Sequence, residues 1–193
     1  MRYAAEHKEE THERIVRAAS RRFRRNGTGV GIGQLMTALK LTHGGFYRHF
    51  RSKDQLLAEA IGKAFDEGRA HLTAAIANAP AGQEVRAVIE GYLREENLSD
   101  TEGGCPLAAL APEIARQSLE VRRALDQSLL RNAAVLAPYM PGATDAERRG
   151  NVAALMSGMA GSLAMARAVS DETMGKRILE AARRLYIEAF CRR

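Results

Sequence analysis

The segment from Leu41 to Lys53, LTHGGFYRHFRSK, crowds basic, aromatic and hydrogen-bonding side chains into a stretch too short to be a core helix. Thr42 suits the position that opens a helix, because its hydroxyl can accept one of the free backbone N–H groups of the first turn. About two helical turns are expected, with Phe46 and Phe50 four apart on one face and His43, Tyr47 and Arg48 pointing elsewhere. One face anchors, and the other is free to touch a ligand. Gly44 and Gly45 each weaken a helix by roughly 1 kcal/mol relative to Ala, so close approach of another backbone explains them better than propensity does. A phosphate backbone is one candidate for that approach. Near Phe50 or Arg51 the helix is expected to stop, and Ser52-Lys53-Asp54-Gln55 has the spacing of a capping box that opens a long new helix.

The charge distribution fits this emphasis. Residues 1–55 carry a balance of +7 and residues 56–193 a balance of −1, so the positive charge is confined to the first quarter of the chain. A small nucleic-acid-binding head on a neutral body has this asymmetry, since neutralising phosphates supplies most non-specific affinity; a solvated basic surface has it too. Aromatic residues make up 5%, Trp is absent, and Ala, Leu, Arg and Glu dominate, which points to an all-α protein. No apolar run reaches the roughly 18 residues of a membrane span. The charged segment Met1–Glu10 lacks the apolar core of a secretory signal, and the cytoplasm is the default expectation. Cys105 and Cys191 match no metal-ligand spacing, so reduced thiols are expected, with no metal and no cofactor.

Periodicity orders the rest. Ile15, Ala18, Ala19 and Phe23 predict an amphipathic helix over about Glu9–Arg25, with Arg14, Arg17, Arg21, Arg22, Arg24 and Arg25 on its outer faces and Gly27 as the left-handed residue that ends it. The glycine-rich run Thr28–Gly33 lacks the Lys-Ser/Thr ending of a phosphate-binding loop and no βαβ pattern surrounds it. Ile32, Leu35, Met36 and Leu39 predict a short helix. Lys40-Leu41 forms the turn into the Leu41–Lys53 segment. Two short helices joined by a tight turn form a helix-turn-helix, whose second helix lies in the major groove.

At this point the run Gly27–Leu57, above all Gly45-Phe46-Tyr47-Arg48-His49-Phe50-Arg51-Ser52-Lys53, resembles the DNA-binding signature of the TetR family of bacterial transcriptional regulators. The resemblance covers about a quarter of the chain. Two positions depart from the usual pattern: Lys40 stands where relatives carry Gly at the turn, and Gly31-Ile32-Gly33 replaces a Ser/Thr cap, predicting a loosely started helix. The resemblance implies DNA contacts by Thr42, His43, Gly44, Gly45, Tyr47, Arg48, His49 and Lys53, with His43 and Gly44 near base edges and Tyr47 and Lys53 on phosphates. Tyr47 has the alternative of packing beneath the helix, and His49 that of stabilising it. Phe46 and Phe50 belong to the core.

Six further helices are expected, over about Lys53–Ala79, Glu84–Leu98, Pro106 to Glu113 or Gln117, Ser118–Ala137, Thr144–Val169 and Asp171–Cys191, for a total of nine. The division is a DNA-binding domain over 1–52 and a ligand-binding and dimerisation domain over 53–193. Small residues in the eighth helix, Ala154, Ser157, Gly158, Gly161 and Ala164, permit close backbone approach. With Leu185 of the last helix they suit a dimer interface, ordinary packing within the chain being the alternative. The resemblance also implies a small-molecule effector pocket, for which Phe65, Tyr92, Cys105, Leu107, Leu110, Leu129 and Met156 are candidates equally well explained as core. Cys105, just before a helix start, is either an inert buried thiol or a reactive one with a lowered pKa.

The expected function is a ligand-responsive transcriptional regulator, a homodimeric repressor released from a near-palindromic duplex operator by a small molecule. The alternatives are a thiol-based redox or electrophile sensor acting through Cys105 and a helical protein-binding adaptor. An enzyme is not expected. His7, His12, His43 and His49 cluster in the basic head, only His71 lies in the body, and no nucleophile–base–orienter set can be assembled.

Overall fold

A computed structural model of the chain describes residues 2–191, with side chains described from residue 6 onward. Among these residues the fold is all-α, with nine helices and two 3₁₀ turns. Helix α1 spans Arg2–Asn26, starting seven residues before the expected Glu9. Those residues carry no apolar stripe to reveal them, yet Ala, Glu, Lys and Arg are good helix formers. Gly27 ends α1 at φ 79°, its N–H bonded to the Phe23 carbonyl at 2.9 Å.

Helix α2, Ile32–Ala38, starts at Gly31 with no side-chain cap. It closes on a two-bond motif, Leu41 N–H to the Met36 carbonyl at 2.9 Å and Lys40 N–H to the Thr37 carbonyl at 3.0 Å. This motif requires a left-handed residue, and Lys40 supplies it at φ 58° where glycine would do so without strain.

Helix α3 is His43–Phe46, shorter than the two turns expected. Beyond it the backbone tightens, with His49 N–H reaching the Phe46 carbonyl three residues back at 2.9 Å. With two glycines supplying no side-chain packing, the α-helix gives way to turns. The capping box at Ser52 is half formed. Ser52 Oγ accepts from Gln55 N–H at 3.0 Å, but the Gln55 side chain takes the Arg51 N–H at 2.9 Å.

Helix α4 runs Lys53–Asn78 and α5 runs Glu84–Tyr92. The chain then breaks into a 3₁₀ turn, Glu95–Leu98, where one helix to Leu98 was expected. Asn97 explains the break: its amide donates to the Gly91 and Tyr92 carbonyls, satisfying acceptors that a continuing helix would have used. Helices α6 (Pro106–Ile114), α7 (Leu119–Leu136), α8 (Asp145–Ala168) and α9 (Glu172–Cys191) complete the fold. The Thr144–Glu147 capping box before α8 is complete.

Two buried clusters result. One gathers Ile15, Phe23, Met36, Phe46, Phe50, Leu57, Ile61 and Phe65 from α1–α4 with Leu110, Ile114 and Val121 from α6–α7. The other gathers Ile76, Ile89, Leu93, Leu136, Val152, Leu155, Leu163 and Leu179. Helix α4 passes through both. The first three helices therefore share a core with α6 and α7 and are not set apart by a solvated linker.

Candidate nucleic-acid interface and ligand cavity

Two aromatic rings hold the α2–turn–α3 unit in place. Phe46 and Phe50 are fully buried and stacked at 5.3 Å, and His12 of α1 stacks on Phe50 at 4.5 Å. Burying two such rings contributes roughly 1.5–3 kcal/mol each, more than a segment this short gains from its own backbone bonds. The outward face is left open. Tyr47 is 62% exposed although its ring meets Phe46 edge-on at 5.2 Å, so it does not pack beneath the helix.

His43, Gly44 and Arg48 are exposed, and Lys53 is partly exposed in the first turn of α4. Thr42 Oγ1 accepts from Gly45 N–H at 3.1 Å, which leaves its own O–H available as a donor. A Cβ at Gly45 would press on Thr42 Oγ1 at 3.3 Å, a cause within the chain. At Gly44 nothing lies within 4 Å, so the chain itself leaves that space open.

His49 points back into the unit. Its Nδ1 is buried without a partner. Burial, then the charges of His12, Lys8 and Arg48, hold its pKa below the usual imidazole value, against a smaller opposing effect of Glu9. His12 bridges the same junction through Glu59 Oε2 at 2.6 Å. The sequence shows His12 only as part of a basic cluster; its position three residues before Ile15, on the core-facing side of α1, is the signal of its role.

Arg24 is the larger omission. Expected on the outer face of α1, it is 4% exposed and enclosed between Glu67 of α4 and the loop before α6. Apolar periodicity gives no warning of this, because a buried arginine depends on acceptors distant in sequence.

In the body, α6, α7 and α8 enclose a half-open cavity of about 540 Å³. Leu107, Leu129 and Met156 line it, together with Ala111, Pro112, Ala133, Val152 and Ala160. The other pocket candidates lie elsewhere. Phe65 and Leu110 are consumed by the first cluster, and Tyr92 and Cys105 pack against the second. Tyr92 carries a buried hydroxyl beside the Cys105 thiol and the Arg167 guanidinium; burial first, then Cys105, pushes its pKa well above the usual phenol value.

Of the interface candidates, Ala154, Ser157 and Gly161 are exposed, Ala164 is half-buried, and Leu185 is 60% exposed. Gly158 differs. A Cβ there would collide with the Tyr186 ring, so its close approach is to α9 of its own chain. Among the described residues no group of three or more His, Cys, Asp or Glu side chains could hold a metal, and no helix is long and apolar enough to cross a membrane.

Residues 15–60 match the family model described as bacterial regulatory proteins, tetR family. The match is confined to the stretch that holds the end of α1, α2, α3 and the start of α4. The whole fold is similar to that of several solved structures. A TetR-family regulator from Agrobacterium tumefaciens is 19% identical over 96% of this chain and 100% of that one, TM-score 0.76. One from Chloroflexus aurantiacus is 23% identical over 97% of each, TM-score 0.76. The reduced form of NemR from E. coli is 18% identical over 94% and 97%, TM-score 0.78. Comparison of the sequence with curated proteins gives no match.

The environment of His49 sets a pH dependence. The unfolded chain binds its proton more readily than the folded one, so the His49 contribution is complete above the ordinary value of about 6.5 and is lost as pH falls from there through the lowered folded value. Melting temperature measured from pH 8 to pH 5 should fall more steeply in the parent than in His49→Gln. Parallel profiles would contradict this assignment.

Proposed function

We propose that this chain is a DNA-binding transcriptional regulator of the TetR family, a homodimeric repressor that leaves its operator when a small molecule enters the body. Residues 1–52 act as the DNA-binding unit, and residues 53–193 bind effector and partner. The observation that carries the reading is the division of the Thr42–Lys53 segment into a buried aromatic anchor and an open polar face. On that face His43 and Gly44 are assigned to base edges, Thr42, Gly45, Tyr47, Arg48 and Lys53 to the backbone, and His49 to holding the segment's shape. One such segment reads too few base pairs, so two copies on a near-palindromic duplex are required.

Supporting the second copy is the exposed side of α8, where Ala154, Ser157, Gly161 and the 63% exposed Met165 run beside Leu185 of α9. The cavity supports the effector. Its wall is mostly apolar, and the Arg149 guanidinium at its edge is engaged by Asp145 at 2.7 Å, which favours an uncharged hydrophobic compound. Such a compound releases DNA only if it binds the DNA-incompetent arrangement better, since equal affinity for both shifts nothing.

Titration of a selected operator duplex tests this function. The parent should bind as two chains per duplex, and Lys53→Ala should weaken binding about equally across sequences and reduce the salt slope by about 1. Tyr47→Phe should also weaken binding, and neither change should move the melting temperature appreciably. Equal affinity of parent and variants would remove these residues from the interface.

A second reading has its own observation. Cys105 stands at the start of α6 with Tyr92 and Arg167 beside it, and the similar NemR structure is described as a reduced form. In this reading an electrophile adds to the Cys105 thiol and displaces α6. Treatment with N-ethylmaleimide should then release DNA from the parent and not from Cys105→Ser. Release from both would exclude the thiol as the sensor.

A further inference from the structure

The four bonds of Arg24 converge from three parts of the fold. Nε donates to the Ser20 carbonyl of its own helix at 3.3 Å, and Nη2 donates to Glu67 Oε2 of α4 at 2.9 Å. Nη1 donates to the carbonyls of Gly103 and Gly104, at 3.3 and 3.1 Å, in the loop that leads into α6. The same loop is held from the other side by Arg167 of α8, which donates to the carbonyls of Asn97 and Asp100 at 2.6 and 2.7 Å. Gly104 has no room for a side chain, because a Cβ would meet the Asp100 carbonyl and the Arg167 guanidinium. The loop is thus a fixed strap between two guanidinium groups.

A second pin lies at the far end of α6. Glu113 Oε2 accepts from Thr28 N–H at 2.6 Å and from Thr28 Oγ1 at 2.7 Å, just beyond the end of α1. Two separated pins define an angle, where a single one would define only a point. By contrast, the Arg25–Glu102 pair across the same gap is largely exposed and contributes little.

We propose that Arg24 is a positioning residue for operator recognition. Through the Gly103–Gly104 carbonyls and Glu67 it fixes the angle at which the α1–α3 unit stands on the body, and so the half-site separation that two copies can reach. It touches no DNA. The proposal rests on the paired-unit reading above. Each base pair inserted between half-sites moves them apart by about 3.4 Å and turns one relative to the other, so a rigid pair tolerates few spacings and a loosened pair tolerates more.

The test uses the full-length protein and duplexes carrying two copies of the half-site that the parent enriches from a randomised pool, with the spacing varied one base pair at a time. The parent should show a sharp optimum. Arg24→Met should bind about tenfold more weakly at that optimum and lose much less at neighbouring spacings, giving a flattened profile. Arg24→Lys, which keeps the charge and part of the bonding, should recover some of the sharpness, and Glu102→Gln should follow the parent. If Arg24→Met fails to fold, Glu67→Gln supplies the same reading through the other partner of the guanidinium. A loss equal at all spacings, or an unchanged profile, would overturn the proposal while leaving the paired-unit reading intact. A flat parental profile would overturn that reading and the proposal with it.

Discussion

The stacked pair Phe46–Phe50 is the contact on which the functional arrangement depends. A four-residue helix with two glycines has almost no stability of its own, since helix nucleation is costly and short helices are marginal in water. Its shape is imposed from below, by two buried rings packed among Ile15, Phe23, Met36 and Leu57. Tertiary burial therefore releases the outer face from any structural duty. Small residues and long polar ones can occupy it, and Tyr47 can stand exposed on a ring-edge contact. A longer and better helix would have had less need of the rings, but its added side chains would occupy the space that Gly44 leaves open.

The continuity of the core carries the second consequence. Because Leu110, Ile114 and Val121 enter the same cluster as Phe46 and Phe50, a shift of α6 or α7 is felt beneath the recognition segment. The polar contacts act in the same direction. Arg24 and Thr28, both near the end of α1, hold the two ends of α6, one through backbone carbonyls and one through Glu113. The α6 helix also forms a wall of the cavity, so its opposite faces meet the cavity and the α1–α3 unit. In the proposed function, a displacement of α6 is passed on as a change in the angle of the α1–α3 unit.

Much of this was legible from residue order, and the limits have physical causes. The nine helices followed from periodicity and caps, and the Lys40 turn followed from one departure in a recognised pattern, since any residue at that place must be left-handed. Helix lengths were less legible. The α3 segment stops early because its continuation depends on packing, and α5 stops early because Asn97 folds back on its last carbonyls. Arg24 escaped because its acceptors come from Glu67 and from a loop about eighty residues away. The cavity was legible in part: Leu107, Leu129 and Met156 line it, but Phe65 and Leu110 fall on core-facing sides of helices whose apolar stripes are wider than any cavity requires. Gly158 showed the need for close approach without showing that the neighbour would be Tyr186 of the same chain.

The central claim is that the open face of Thr42–Lys53 enters the duplex while the rings behind it stay packed. Amide hydrogen exchange, measured with and without a selected operator duplex, addresses both halves at once. Added protection should concentrate in residues 42–53 and the adjoining start of α4, with the slow exchange of the helix containing Phe23 unchanged. Protection that instead fell on α8 and α9, or binding that left residues 42–53 exchanging as in the free protein, would contradict the account.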